Sequence, residues 1–62
     1  MTVNIEWNGI EHEVDFDVAV SMMDEGVREY VHHKEAPCTE QHFVDRYCDE
    51  HYAQFGSEFR VW

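Results

Sequence analysis

Residues 2–18, TVNIEWNGIEHEVDFDV, decide the fold. Asn8 and Gly9 divide the stretch into two runs in which apolar and polar residues alternate, and both tolerate the positive φ that a type I′ turn demands. A two-residue loop sets the register: Trp7 faces Ile10, Ile5 faces His12 and Val3 faces Val14 on the side expected to meet the core. The other side pairs Glu6 with Glu11, Asn4 with Glu13 and Thr2 with Asp15. Read as one strand through Val18, the second run places Glu11, Glu13, Asp15 and Asp17 in a single row, with Ile10, His12, Val14, Phe16 and Val18 behind them. Like charges directly across a ladder destabilise it, so the row is locally unfavourable.

Further along, Ser21 and Asp24 have the spacing of a capping box and predict the start of a first helix. Met23, Val27, Tyr30, Val31 and the stem of Lys34 fall on one stripe of it. Pro37 closes the connection, and Thr39 is a good N-cap for a second helix over residues 40–55. At 100° per residue Phe43, Val44, Tyr47, Cys48, His51 and Phe55 share one arc of that helix, opposite His42, Asp45, Arg46, Asp49 and Glu50. Gly56 is a natural left-handed stop, and Glu58–Trp62 alternates well enough for a short final strand beside strand two. The expected fold is a single α+β domain over residues 1–62, ordered β-β-α-α-β. Its three-stranded antiparallel sheet carries two helices on one face and the carboxylates on the other, where Glu58, Arg60 and Trp62 would join them.

Sixty-two residues with 44% hydrophobic and 15% aromatic content suit one small folded domain, in which leucine is absent and valine and aromatics fill the apolar positions. The net charge is −10, from 14 acids against 4 Lys and Arg, and it is uneven. Residues 1–20 hold five carboxylates and no cation, and every Lys and Arg lies at Arg28 or later. A chain so acidic is poorly matched to phosphate backbones or anionic lipid, so neither nucleic acid nor membrane is an expected direct partner. No apolar run reaches a membrane span and no signal-like order begins the chain, which fits a cytoplasmic protein. Cys38 and Cys48 stand roughly 14 Å apart on a helical reading, beyond disulfide reach, and are expected as free thiols.

Cys38, His42, Cys48 and His51 are zinc-ligand types, but on one helix His42 lies about 120° from Cys48 and about 180° from His51, so they diverge. Cys48 and His51 share a face without a third orienting group, and a flat sheet face offers the carboxylates no cleft in which to raise a pKa. Neither a catalytic residue nor a cofactor is expected. Trp7 has core parity, whereas Trp62 has the parity of an exposed interface residue.

The reading that follows is a non-enzymatic inhibitor or regulator that uses Glu6, Glu11, Glu13, Asp15, Asp17 and Trp62 to occupy the basic, nucleic-acid-binding surface of a larger protein. Carboxylates at every second residue are about 6.6 Å apart, a spacing comparable with successive phosphates along a strand, which makes DNA mimicry the proposed mechanism. In size and charge, though in no motif, the chain resembles small inhibitors of this type encoded by phages and mobile elements. The alternatives are an accessory module that homodimerises through the edge of strand one or Trp62, with acids that only confer solubility, adaptation to a saline cytoplasm, and a small zinc-binding domain.

Overall fold

The computed structural model describes all 62 residues. Two antiparallel strands, β1 (Thr2–Trp7) and β2 (Ile10–Asp15), form the sheet, followed by helices α1 (Phe16–Met22), α2 (Glu25–Tyr30) and α3 (Glu40–Phe55). A π-helical turn over Val31–Glu35 extends α2. The hairpin register is the one the turn imposes, from Trp7 opposite Ile10 to Thr2 opposite Asp15. Asn8 and Gly9 take φ of 55° and 78°, the left-handed pair required by a turn that follows the twist of its strands.

The sheet has two strands and there are three helices, which corrects the expected three-stranded sheet with two helices. Strand two stops at Asp15 because its carboxylate turns back to accept the Val18 N–H at 3.1 Å and so caps α1. Phe16, Ala19, Val20 and Met23 then fall at i, i+3, i+4 and i+7, and all four are buried or half-buried. Alternation and helical spacing share Phe16 and Val20, and the capping aspartate decides between them. The expected capping box from Ser21 does not form. Ser21 Oγ donates to the Val18 carbonyl at 2.7 Å within α1, and Asp24 is itself the cap of α2, accepting from the Val27 N–H at 3.1 Å. Met23 and Asp24 between them are extended, so the single expected helix is two short ones with a break.

The second expected helix is α3. Thr39 Oγ1 accepts from the His42 N–H at 3.0 Å, and Gly56 at φ 72° donates to the Tyr52 carbonyl at 2.8 Å to end it. The helix lies along β1 and presents Val44 and Tyr47 to Val3, Ile5, Ala19, Met23, Val27, Val31 and Phe59, which together form the core. Tyr47 is wholly buried, and its hydroxyl accepts the Asp24 N–H at 2.7 Å, which ties α3 to the break between α1 and α2. Burial holds its phenol above the ordinary value.

Residues 58–62 form no strand. Rings hold them instead of peptide pairing: Phe59 is buried edge-on against Tyr47 with centroids 4.8 Å apart, and Trp62 stacks on His12 at 4.0 Å. The alternation at Phe59 and Val61 reports which side chains turn inward, and it does so without a neighbouring strand edge.

Candidate protein-binding face

The outer side of the hairpin presents Thr2, Asn4 and Glu6 from β1 and Glu11, Glu13 and Asp15 from β2, all exposed. Pleating holds the four carboxylates on one side of a paired ladder, with Glu6 directly across from Glu11. No Lys or Arg neutralises them. Arg46 binds Glu35 and Asp49, each at 3.3 Å. Arg60 lies 4.9 Å above the Trp7 ring and donates to the Trp62 carbonyl at 2.8 Å, while Arg28 and Lys34 enter no ion pair. Glu13 accepts a hydrogen bond from the Thr2 hydroxyl at 3.3 Å, and Asp15 has the terminal amine at 4.0 Å beside its capping bond.

Asp17 is exposed but sits in the first turn of α1, off the hairpin row, where its charge suits the helix dipole. Trp62 retains 37% exposure on the inner side of the hairpin, between His12 and the edge of Trp7, whose ring centroid is 6.3 Å away. The structure therefore brings Glu6, Glu11, Glu13 and Asp15 together and sets Asp17 and Trp62 apart from them.

Residues on α3 extend the negative surface in a way the sequence reading missed. In the ladder, Asn4 and Glu6 direct their peptide groups away from β2, toward the open edge of β1. Gln41 fills that edge at Asn4: its Oε1 accepts the Asn4 N–H and its Nε2 donates to the Asn4 carbonyl, both at 2.8 Å, with a third bond to Asp45 at 2.9 Å. The amide thus stands where the peptide of another strand would pair, which blocks the edge route to a homodimer at this position. Beyond Gln41 the helix and strand part around a cleft of roughly 330 Å³, with Glu6, Asp45, Asp49 and Glu58 among its walls. The signal for these residues was the spacing of Gln41, Asp45 and Asp49 at four-residue intervals, one flank of the helix bordering the buried arc.

Both thiols are free, and no three His, Cys, Asp or Glu side chains are grouped to hold a metal ion. Burial, with Asp45, Asp49 and Glu58 adding to it, pushes the Cys48 thiol up to about 12, which keeps it protonated and poorly nucleophilic. His51 donates its Nδ1–H to the Ser57 carbonyl at 2.9 Å and makes no hydrogen bond to the Cys48 thiol.

A protein-family model described as anti-CRISPR protein AcrIC5 matches residues 5–59. The chain belongs to this anti-CRISPR family. No curated protein matches the chain. The matched span runs from β1 to the buried Phe59 and takes in every carboxylate of the hairpin face and the cleft, while Arg60 and Trp62 lie outside it. Anti-CRISPR proteins bind Cas proteins or their complexes, so membership points to a phage-type, protein-binding inhibitor. No helix is long and apolar enough to cross a membrane.

Proposed function

We propose that the chain inhibits CRISPR–Cas immunity by seating the hairpin's outer face on a basic surface of a Cas protein or complex where nucleic acid would otherwise bind. The observation that supports this reading is the absence of any internal cation on Glu6, Glu11 and Glu13, although two of the four Lys and Arg, Arg28 and Lys34, enter no ion pair. Carboxylates held by a paired ladder need no reorganisation before they meet Lys and Arg, and charge-assisted hydrogen bonds to a guanidinium or ammonium are the strong class. A solvated polar sheet face would intersperse both signs of charge, whereas this one keeps a single sign. Asp17, in the first turn of α1, and Trp62, on the inner side of the hairpin, lie apart from this row and serve as peripheral contacts in this reading.

The test is competition between this protein and target DNA for the purified Cas complex that it inhibits, measured across a salt series. Glu11→Lys together with Glu13→Lys is expected to weaken binding by about a hundredfold or more, and wild-type affinity is expected to fall steeply with salt. Binding that ignores salt, or that coexists with DNA on the complex, overturns the reading.

A further inference from the structure

The cleft beside β1 has a composition unlike the hairpin face. Half of its lining is apolar or thiol: Ile5, Cys48, Tyr52 and Phe59. Glu6, Asp45, Asp49 and Glu58 complete it, carried by three separate elements. Arg46 partly neutralises Asp49, at 3.3 Å, and the Gln41 amide gives Asp45 one hydrogen bond, so Glu6, Asp45 and Glu58 enter no ion pair within the chain. The peptide group of Glu6 adds to this. It projects to the same edge as that of Asn4 but lies beyond the reach of Gln41, and its carbonyl has no partner in the chain.

We propose that this cleft receives an arginine side chain of the Cas partner, which makes it a specificity pocket within the acidic binding surface. Three properties select arginine. A long aliphatic stem matches the Ile5 and Phe59 side of the cleft, and the planar head has five donors to spread over several carboxylates and the Glu6 carbonyl. Tyr52, 58% exposed at the rim, offers a ring face on which a guanidinium stacks better than an ammonium. The volume, near the lower bound for small-molecule sites, accommodates one such side chain. The Cys48 thiol at the cleft, pushed up first by burial, also registers this field, since Asp45, Asp49 and Glu58 raise it further.

This inference rests on the reading that the chain binds a Cas partner through its acidic side, and two measurements separate them. In the first, backbone NMR shifts of the isolated protein are followed during titration with N-acetyl-arginine amide and, separately, N-acetyl-lysine amide. Saturable shifts confined to Ile5, Glu6, Cys48, Tyr52 and Phe59, larger with arginine, are expected. Shifts spread evenly over Glu11 and Glu13, or equal responses to both probes, overturn the pocket. In the second, Asp45→Asn with Glu58→Gln is compared with Glu11→Gln plus Glu13→Gln for binding to the Cas complex, with a urea melt confirming that each variant is folded. The cleft pair is expected to lose about tenfold in affinity. Full affinity in the cleft pair alone refutes the pocket and leaves the hairpin face standing, and full affinity in both refutes the face as well.

Discussion

The hairpin and the C-terminal segment meet over Trp7, and they are held in opposite ways. In the hairpin, six residue pairs stand in register, peptide groups bond across alternate pairs, and the side chains of one face are left free for solvent. In the C-terminal segment the peptide groups pair with no strand, and the side chains do the holding, with Phe59 under Tyr47 and Trp62 on His12. The cations divide the same way. Arg60 is turned onto the Trp7 ring and the Trp62 carbonyl, although the carboxylate row begins one residue from Trp7 at Glu6. A charged surface can remain unneutralised in a small domain when the nearby cations have better-defined partners elsewhere, because exposed ion pairs contribute little.

If rings rather than peptide bonds anchor the C-terminal segment, Phe59→Ala is the most damaging single change there. Removing a buried aromatic ring is expected to cost roughly 3–5 kcal/mol, a large fraction of the stability of a 62-residue domain, and to lower the urea midpoint accordingly. A loss below about 1 kcal/mol would show that the segment is a loose appendage and that the core ends at α3. The corresponding test of the hairpin is backbone-directed. An added Cβ at Gly9 meets nothing within 4 Å, so Gly9→Ala reports only the cost of φ 78°. That cost is expected at about 1–2 kcal/mol, and a neutral outcome would mean that the turn can change type without loss of register.

The hairpin was legible in the sequence because Asn8-Gly9 and the alternation around it specify turn, register and facing together, each consistent with the others. Helix α3 was legible for the same reason, with Thr39 and Gly56 marking the ends of a single apolar arc. What failed was the stretch from Phe16 to Asp24. There Phe16 and Val20 fit either period, and the deciding information lies in two aspartates, Asp15 and Asp24, whose carboxylates choose between facing solvent and capping the next helix. The third strand failed differently. Alternation at Phe59 and Val61 encodes burial parity, but strand formation also needs a free edge at the right distance, a property of tertiary placement that local pattern does not carry. On the candidate site, the hairpin carboxylates were visible as a row. Asp45, Asp49 and Glu58 were not, since they come from the polar flank of a helix and a segment distant in sequence, and only the fold gathers them with Glu6.

The subtlest contrast between the two regions is the sign of a charge deletion. Glu6 and Glu11 face each other directly across the ladder with no cation between them, so Glu11→Gln removes a repulsion that the folded state bears and the unfolded chain largely escapes. The variant is expected to be more stable than the wild type by about 0.2–1 kcal/mol in low salt, and the gain should shrink in 1 M salt, where the Debye length of about 3 Å is shorter than the reach of the pair. Glu58→Gln, in the ring-held segment, removes a charge with no counterpart directly opposite and is expected to change stability by less than about 0.5 kcal/mol. Paired urea titrations at the two salt concentrations separate the cases. A destabilised Glu11→Gln would mean that Glu11 makes a favourable contact within the fold, and the hairpin carboxylates would then have a structural role in place of one reserved for a partner. A stabilised variant that also binds the Cas complex more weakly is the signature of a surface whose charge is kept for binding at the expense of folding.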